Sequence, residues 1–548
     1  MFSVLNHLPQ YIKLKKYKLI FLILISTILD LLGVGIIIPL FALIINENYF
    51  QNIQKYFVIS ESFIVVIISI LVVVIFLLKN LFSIYLERFK SKYLHEIFLL
   101  ISKMILKSYI EKGIIYFNEI GSSSIFKNIY HVPFYYSTKV LMSYFLIIAE
   151  VLLSFILFTF LIFYNFKVFL ILIIIILPLF FIYNTILKKI TVKNGNCIDD
   201  ISPKLHDSVN NFSFGFKEII LFQKEDFYSI KLFSFFKEYN KLNIERNILL
   251  ILPNKFLDII ISLSLVSVIL ISFLNKDENS NIMMLIFSFG VIALRLIPSI
   301  NKINGALNFI SLYSYTIPII KNNIKNSNNS FNPQIDKTEI LFNNRIKLVN
   351  ISKSFNNNPI LENINIEIKK GSITGFYGFS GSGKSTLASI IKQIIIQDSG
   401  SLYVDDLEIK KYNIRSWQKK IGFVSQSNFI FKGTILENIA FGQNISEIDI
   451  KTVELVLDYV NLNDFNSNKG HHYILEENGS NISGGQIQRI ALARALYSGA
   501  EVLILDEFTS SLDKHNEVKM LKIVKKLKKL NKTIILISHN QSTLDICD

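Results

Sequence analysis

Apolar positions follow two different rhythms along this chain. Through residues 1 to about 315 they run together in long blocks, and from about 340 onward they come in short bursts between polar turns, as alternating strands and helices do. Six blocks, at roughly 18–46, 62–86, 141–164, 167–187, 249–274 and 281–300, reach the twenty or so residues a helix needs to cross a bilayer. Longer segments join the second block to the third and the fourth to the fifth. They carry helical apolar spacing, as in Tyr93 to Tyr109 and Phe214 to Phe236, so helices are expected to extend beyond the bilayer there. The polar stretch Lys321 to Pro333 divides the two rhythms. The expected organisation is a six-span α-helical transmembrane domain over 1–315, a linker over 316–340 and a soluble α/β domain over 341–548.

Composition agrees with that division, since 51% hydrophobic residues is too high for an ordinary soluble enzyme. Six ionisable residues fall inside the blocks: Asp30, Lys79, Glu150, Lys255, Asp258 and Arg295. Each costs up to about 3 kcal/mol at mid-bilayer, so they are expected to face other helices or to snorkel, with a cavity contact strongest for Asp30 and Arg295. Lys13, Lys15, Lys16 and Lys18 precede the first block, while Arg88, Lys90 and Lys92 follow the second. Lys188, Lys189, Lys193, Lys204 and Lys217 lie between the fourth and fifth, whereas the intervening loops are poor in basic residues. The bias places the N-terminus and the soluble domain in the cytoplasm. It also accounts for much of the net charge of +15, which reads as topology and contact with anionic membrane lipid, not nucleic acid. The first block lacks a small-residue cleavage site and is expected to stay in the chain. Cys197 and Cys547 show no paired metal-ligand spacing, so neither a disulfide nor a zinc site is expected.

The chemistry lies in the soluble half. Gly378, Phe379, Ser380, Gly381, Ser382, Gly383, Lys384, Ser385 and Thr386 follow the strand-like run Ile373 to Tyr377 with the GxxxxGK[ST] spacing. Glycines let backbone N–H groups turn inward on phosphates, Lys384 reaches the β and γ oxygens, and the Ser385 hydroxyl joins the Mg²⁺ shell. A helix starting at Ser385 points its positive end at the anion. Val502 to Leu505 reads as a buried strand that delivers Asp506 and Glu507 beside the phosphates. Asp506 is expected to hold Mg²⁺ and Glu507 to polarise the attacking water.

A second glycine motif, Asn481 to Arg489, opens a helix. Its Ser483, Gly484, Gly485 and Gln486 resemble the signature of the ATP-binding cassette (ABC) family, with Ile482 where that family usually has leucine. The resemblance extends over the whole soluble half. Phe355 resembles the aromatic that stacks on adenine, Gln426 the glutamine that senses Mg²⁺ and water, and His539 the switch histidine near the γ-phosphate. Ser510 to Asp513 resembles the loop that crosses between cassettes, and Glu476 to Gly479 the exporter loop before the signature. In that family the signature serves the nucleotide held by the opposite cassette, which implies two cassettes per working unit. The chain stops nine residues after His539, where family cassettes usually continue, so a cassette lacking its C-terminal end, with exposed sheet edge, is expected.

Six spans and one cassette resemble an exporter half-transporter, which implies ATP and Mg²⁺ as cofactors and a homodimer, or a heterodimer with a different half. Leu31 to Pro39, Phe216 to Lys224 and Leu294 to Pro298 resemble segments of exporters that flip lipid-linked oligosaccharides, although Gly33, Gly35 and Pro39 serve helix packing equally well. Lipid A-type lipids, peptides or hydrophobic drugs are the competing cargos, and a membrane scaffold without turnover is the competing class. Abundant Lys, Asn and Ile with few Gly fit an AT-rich bacterial genome and hence a bacterial inner membrane.

Overall fold

In the computed structural model the chain divides into two units, Met1–Phe331 and Asn332–Asp548. The structure describes residues 4–45, 61–164, 187–274, 279–328, 339–355, 358–379, 381–410, 413–463, 470–510 and 512–548, with 166, 170 and 465. The fourth apolar block and Ser380 therefore fall outside the described residues, except for the helical Leu170 and residue 187 at the block's end.

The first unit is helical. Its main elements are α1 (Gln10–Ile45), α2 (Glu61–Ile120), α3 (Met142–Tyr164), α4 (Lys188–Phe214), the short α5 (Phe216–Leu221), α6 (Glu225–Leu274), α7 (Asn279–Leu312) and α8 (Thr316–Asn328). α2 breaks at Gly113, where φ is 78° and ψ is −177°, and the stretch before the break, Glu61 to Lys112, is still about 78 Å long, far more than a bilayer requires. Its two halves differ as the sequence demands. Val66, Ile70, Leu71, Val74, Leu77, Leu78 and Leu81 are exposed, a face suited to lipid, whereas Ile97, Ile101 and Ile105 form an i, i+4 stripe buried against α1 and α8. Among the described residues, the stretches Val66–Ile120 and Ser122–Thr159 are long and apolar enough to cross a membrane. The approach to α3 is helical throughout but contains two π-helical turns, Lys127–His131 and Tyr136–Leu141.

Ion pairs join four of the charges inside the apolar blocks, Asp30, Lys79, Glu150 and Arg295, to a partner. Asp30 on α1 accepts from Lys79 of α2 at 2.8 Å and from Arg295 of α7 at 2.5 Å, and Lys302 reaches Glu150 at 2.7 Å. The periodic run Phe214 to Phe236 is not one helix. It turns a corner at Gly215 and again at 222–224, where Gln223 takes a left-handed φ of 53°, so α5 is a single short turn between α4 and α6. Phe214, Phe216, Leu221 and Phe222 are exposed at that corner.

Among the described residues the second unit has two four-stranded sheets and a two-stranded ribbon of Gly433–Thr434 with Ile474–Leu475. The antiparallel one runs β2-β1-β4-β5, with β1 Arg345–Phe355, β2 Asn358–Lys369, β4 Ser399–Val404 and β5 Leu407–Glu408. The parallel one runs β3-β8-β7-β6, with β3 Ile373–Phe376, β6 Ile421–Val424, β7 Val502–Asp506 and β8 Thr533–Ile537. Parallel strands covered on both faces read as unbroken apolar runs, and alternate residues then divide between two cores. On β7, Leu503 and Leu505 join the core that contains helices α13 (Gly484–Tyr497) and α14 (Lys514–Lys529). Val502 and Ile504 pack on the other face with α9 (Lys384–Ile391). Between these lie α10 (Ile414–Lys419), α11 (Ile435–Ile439) and α12 (Ile450–Tyr459). Beside the edge strand β3 opens a groove of about 510 Å³ lined by Thr374, Tyr377, Leu544 and Asp548, and Asp548 takes both backbone groups of Ile373.

Candidate functional site

β3 ends at Phe376, and the phosphate loop turns from it into α9. Gly383, at the helix N-cap, has a φ of 88°, and a side chain there would meet Leu361 at 2.8 Å and the Ile360 carbonyl at 3.1 Å. Only glycine fits both the backbone and the space. The Lys384 ammonium donates to the carbonyls of Gly378 and Phe379, each at 2.7 Å, and so lies along the loop it opens. Ser385 is exposed and Thr386 half-buried on the first turn of α9.

Register brings the acidic residues to this loop. Ile537 of β8 pairs with both Phe376 of β3 and Asp506 of β7, so the three strand ends are level. Burial raises the Asp506 carboxyl above the ordinary range, against a hydrogen bond from the Ser385 hydroxyl and the nearby charge of Lys392. That hydroxyl and carboxylate are hard oxygen donors that suit Mg²⁺, with phosphates and water to complete the shell. Among the described residues no group of three or more His, Cys, Asp and Glu gathers that could hold a metal ion by itself.

Glu507 takes a left-handed φ of 46°, uncommon for a residue with a side chain, and its N–H donates to the Ile537 carbonyl at 2.9 Å. The turn aims its carboxylate away from the strand. His539, two residues past β8, meets it with Nδ1 at 3.3 Å from Oε1. The Gln426 amide donates to the Ser510 hydroxyl at 3.5 Å, and that hydroxyl donates to the Glu507 carbonyl at 2.8 Å. Lys384, Ser385, Gln426, Asp506, Glu507 and His539 thus gather at one end of the parallel sheet.

Ser483 caps α13. Its hydroxyl oxygen accepts from the Gln486 N–H at 3.3 Å, while the Gln486 side chain accepts from the Ser483 N–H at 2.9 Å. A hydroxyl used this way keeps its own proton free to donate. Gly484 and Gly485 form the first helical turn. Among the described residues, Phe355 and this capping box share no hydrogen bond or ring contact with the group around Glu507.

Sequence reasoning missed the residue that ties the signature helix to Gln426. Gln488 is buried on α13, donates to the Gln426 carbonyl at 3.2 Å and accepts from Asn428 at 2.9 Å. The signal was a polar residue on the stripe 485, 488, 492, 495, whose other members are Gly, Leu and Ala.

Residues 361–510 match the family model described as ABC transporter. The chain is 34% identical over 268 residues to the heterocyst differentiation ATP-binding protein HepA of Nostoc, covering 48% of this chain and 43% of that protein. It is 30% identical over 386 residues to an ATP-dependent lipid A-core flippase of Wigglesworthia glossinidia brevipalpis, covering 68% of this chain and 64% of the relative. The matches thus span less than two thirds of the length of these curated relatives. A bacterial Atm1-family ABC exporter with ATP bound has the same fold, with a TM-score of 0.79, 16% identity, and coverage of 98% of this chain and 92% of that one. Residues 361–510 thus belong to an ABC transporter ATP-binding domain, and the chain joins it to a helical region with the fold found in that exporter structure.

Proposed function

We propose that this chain is one half of a dimeric ABC exporter that hydrolyses ATP to move a lipid-type cargo across a bacterial inner membrane. Its N-terminus and cassette face the cytoplasm, and its helices cross six times. The observation that carries this reading is the contact of Glu507 with His539 at 3.3 Å, at the strand ends beside Lys384 and Asp506. Phosphoryl transfer to water needs a base, a residue to hold the water and γ-phosphate, and cations over the phosphates, and these side chains supply that set. In this reading Lys384 neutralises the β and γ oxygens, Glu507 polarises the water, and His539 keeps the Glu507 carboxylate in place. Ser385 and Asp506 would hold Mg²⁺, which would supply further charge neutralisation. Gln426, bonded through Ser510 to Glu507 and through Gln488 to the signature helix, registers whether the phosphates are present. An inactive scaffold has no use for this arrangement.

The cargo we favour is a lipid-linked oligosaccharide. Relatives described as lipid A-core flippases favour a second reading, a lipid A-type lipid. Both are tested by ATP hydrolysis of the purified chain in lipid vesicles, with polyprenyl-linked oligosaccharide or lipid A added. Stimulation by the oligosaccharide lipid alone supports the first cargo and stimulation by lipid A alone the second. No hydrolysis in any vesicle overturns the exporter reading for a homodimer.

A further inference from the structure

β1 ends at Phe355, the residue read above as the adenine-stacking aromatic, and the following inference rests on that reading. Backbone pairing is poor at this end of the strand. The ladder with β4 slips between Val349 and Ser352, and the ladder with β2 shifts three times beyond Leu348. Backbone and side-chain ties from one residue, Asp398, reinforce it. The Asp398 N–H donates to the Ser352 carbonyl at 2.9 Å, and its carboxylate accepts from the Ser354 N–H at 2.8 Å and from the Lys353 ammonium at 2.5 Å. All three residues that precede Phe355 are therefore held by Asp398. The same Lys353 ammonium stands over the Phe355 ring, 5.5 Å from its centroid, and the Lys353 side chain is only 13% exposed.

We propose that Asp398 and Lys353 are positioning residues for nucleotide binding, which fix Phe355 so that one face of its ring is taken by the lysine and the other is presented to a purine base. An ordered ring stacks at lower entropic cost than a free one. Pairing with Asp398 also keeps the lysine in place over the ring, where its charge attracts the π face. The Lys353 and Ser354 donors hold the Asp398 carboxyl below its usual range, so the ties persist at neutral pH.

The test compares two ligands on the full-length chain in lipid: ATP, and inorganic tripolyphosphate, which offers the phosphates without a base. Asp398→Ala should weaken ATP binding about three- to tenfold, as expected for loss of charge-assisted hydrogen bonds, and leave tripolyphosphate unchanged. Asp398→Asn keeps an acceptor for Ser354 but loses the charge, and should fall between. In hydrolysis, KM for ATP should rise with kcat retained. In a Phe355→Ala background, Asp398→Ala should add nothing. Equal weakening of both ligands, or unchanged ATP binding, overturns the proposal. Phe355→Ala that binds ATP as the wild type does removes the stacking reading itself, and the proposal with it. Weakening by Phe355→Ala without any by Asp398→Ala removes the proposal alone.

Discussion

Lys392 carries an ammonium into the cassette core, 6% exposed and 3.1 Å from the centroid of the Phe423 ring. Phe423 pairs with Ile504, which puts both on the sheet face that Asp506 shares. Burial pushes the Lys392 pKa down to about 8, with Asp506 pulling it back up. The folded chain therefore binds fewer protons here than the unfolded chain between about pH 8 and 10.5, and stability rises with pH across that window. Below it the ammonium is charged in both states and its desolvation cost is felt in full, about 3 kcal/mol at most by the size of the shift. Lys392→Met should raise the thermal midpoint of cassette unfolding at pH 7 by a few degrees, and the gain should shrink toward pH 10. A lower midpoint at pH 7 is the outcome that refutes this, since the ring and Asp506 contacts then outweigh desolvation. Residues of this kind are the ones the sequence hides. Lys384, Asp506 and His539 are legible because phosphate chemistry restricts residue type at fixed spacing, whereas Ile390-Ile-Lys-Gln-Ile394 reads as a helix stem with a solvent-facing lysine. What buries Lys392 is β6, some thirty residues further on.

Elements differ in the same way. β7 is legible because four apolar residues followed by two acids suit a buried parallel strand. The corner at 214–224 is not, because apolar spacing records which side of a helix is covered and passes unchanged through a turn made by Gly215 and a left-handed Gln223. Close crossings are equally silent. A side chain on Gly195 of α4 would lie 1.9 Å from the Leu312 carbonyl at the end of α7, while one on Gly305 of α7 would meet nothing within 4 Å. Gly195→Ala should separate the two helices, cost about 1–3 kcal/mol and lower the midpoint of the membrane unit. Gly305→Ala should leave that midpoint unchanged or raise it slightly, by up to about 1 kcal/mol in helix propensity. Equal midpoints for the two variants would show that the α4–α7 crossing has room to relax.

For the whole molecule, the deciding question is whose nucleotide the Ser483 signature serves. One phosphate loop and one signature per chain allow two arrangements of a symmetric dimer. In the composite arrangement, each nucleotide lies between the Lys384 loop of one copy and the Ser483 box of the other. In the self-contained one, both motifs of a copy serve the same nucleotide. Mixed dimers with separately tagged copies tell them apart. When one copy carries Lys384→Ala and the other Ser483→Ala, a composite dimer collects both defects in one site and leaves the second intact. When a single copy carries both changes beside a wild-type copy, a composite dimer has one defect in each site and none intact. A self-contained dimer reverses the two results. We expect ATP occlusion at about half the wild-type level from the split pair and almost none from the double-mutant pair, in keeping with an isologous dimer. The opposite order would leave the exporter fold standing but remove the shared site, and with it the reason for expecting the free Ser483 proton to meet the partner copy's nucleotide.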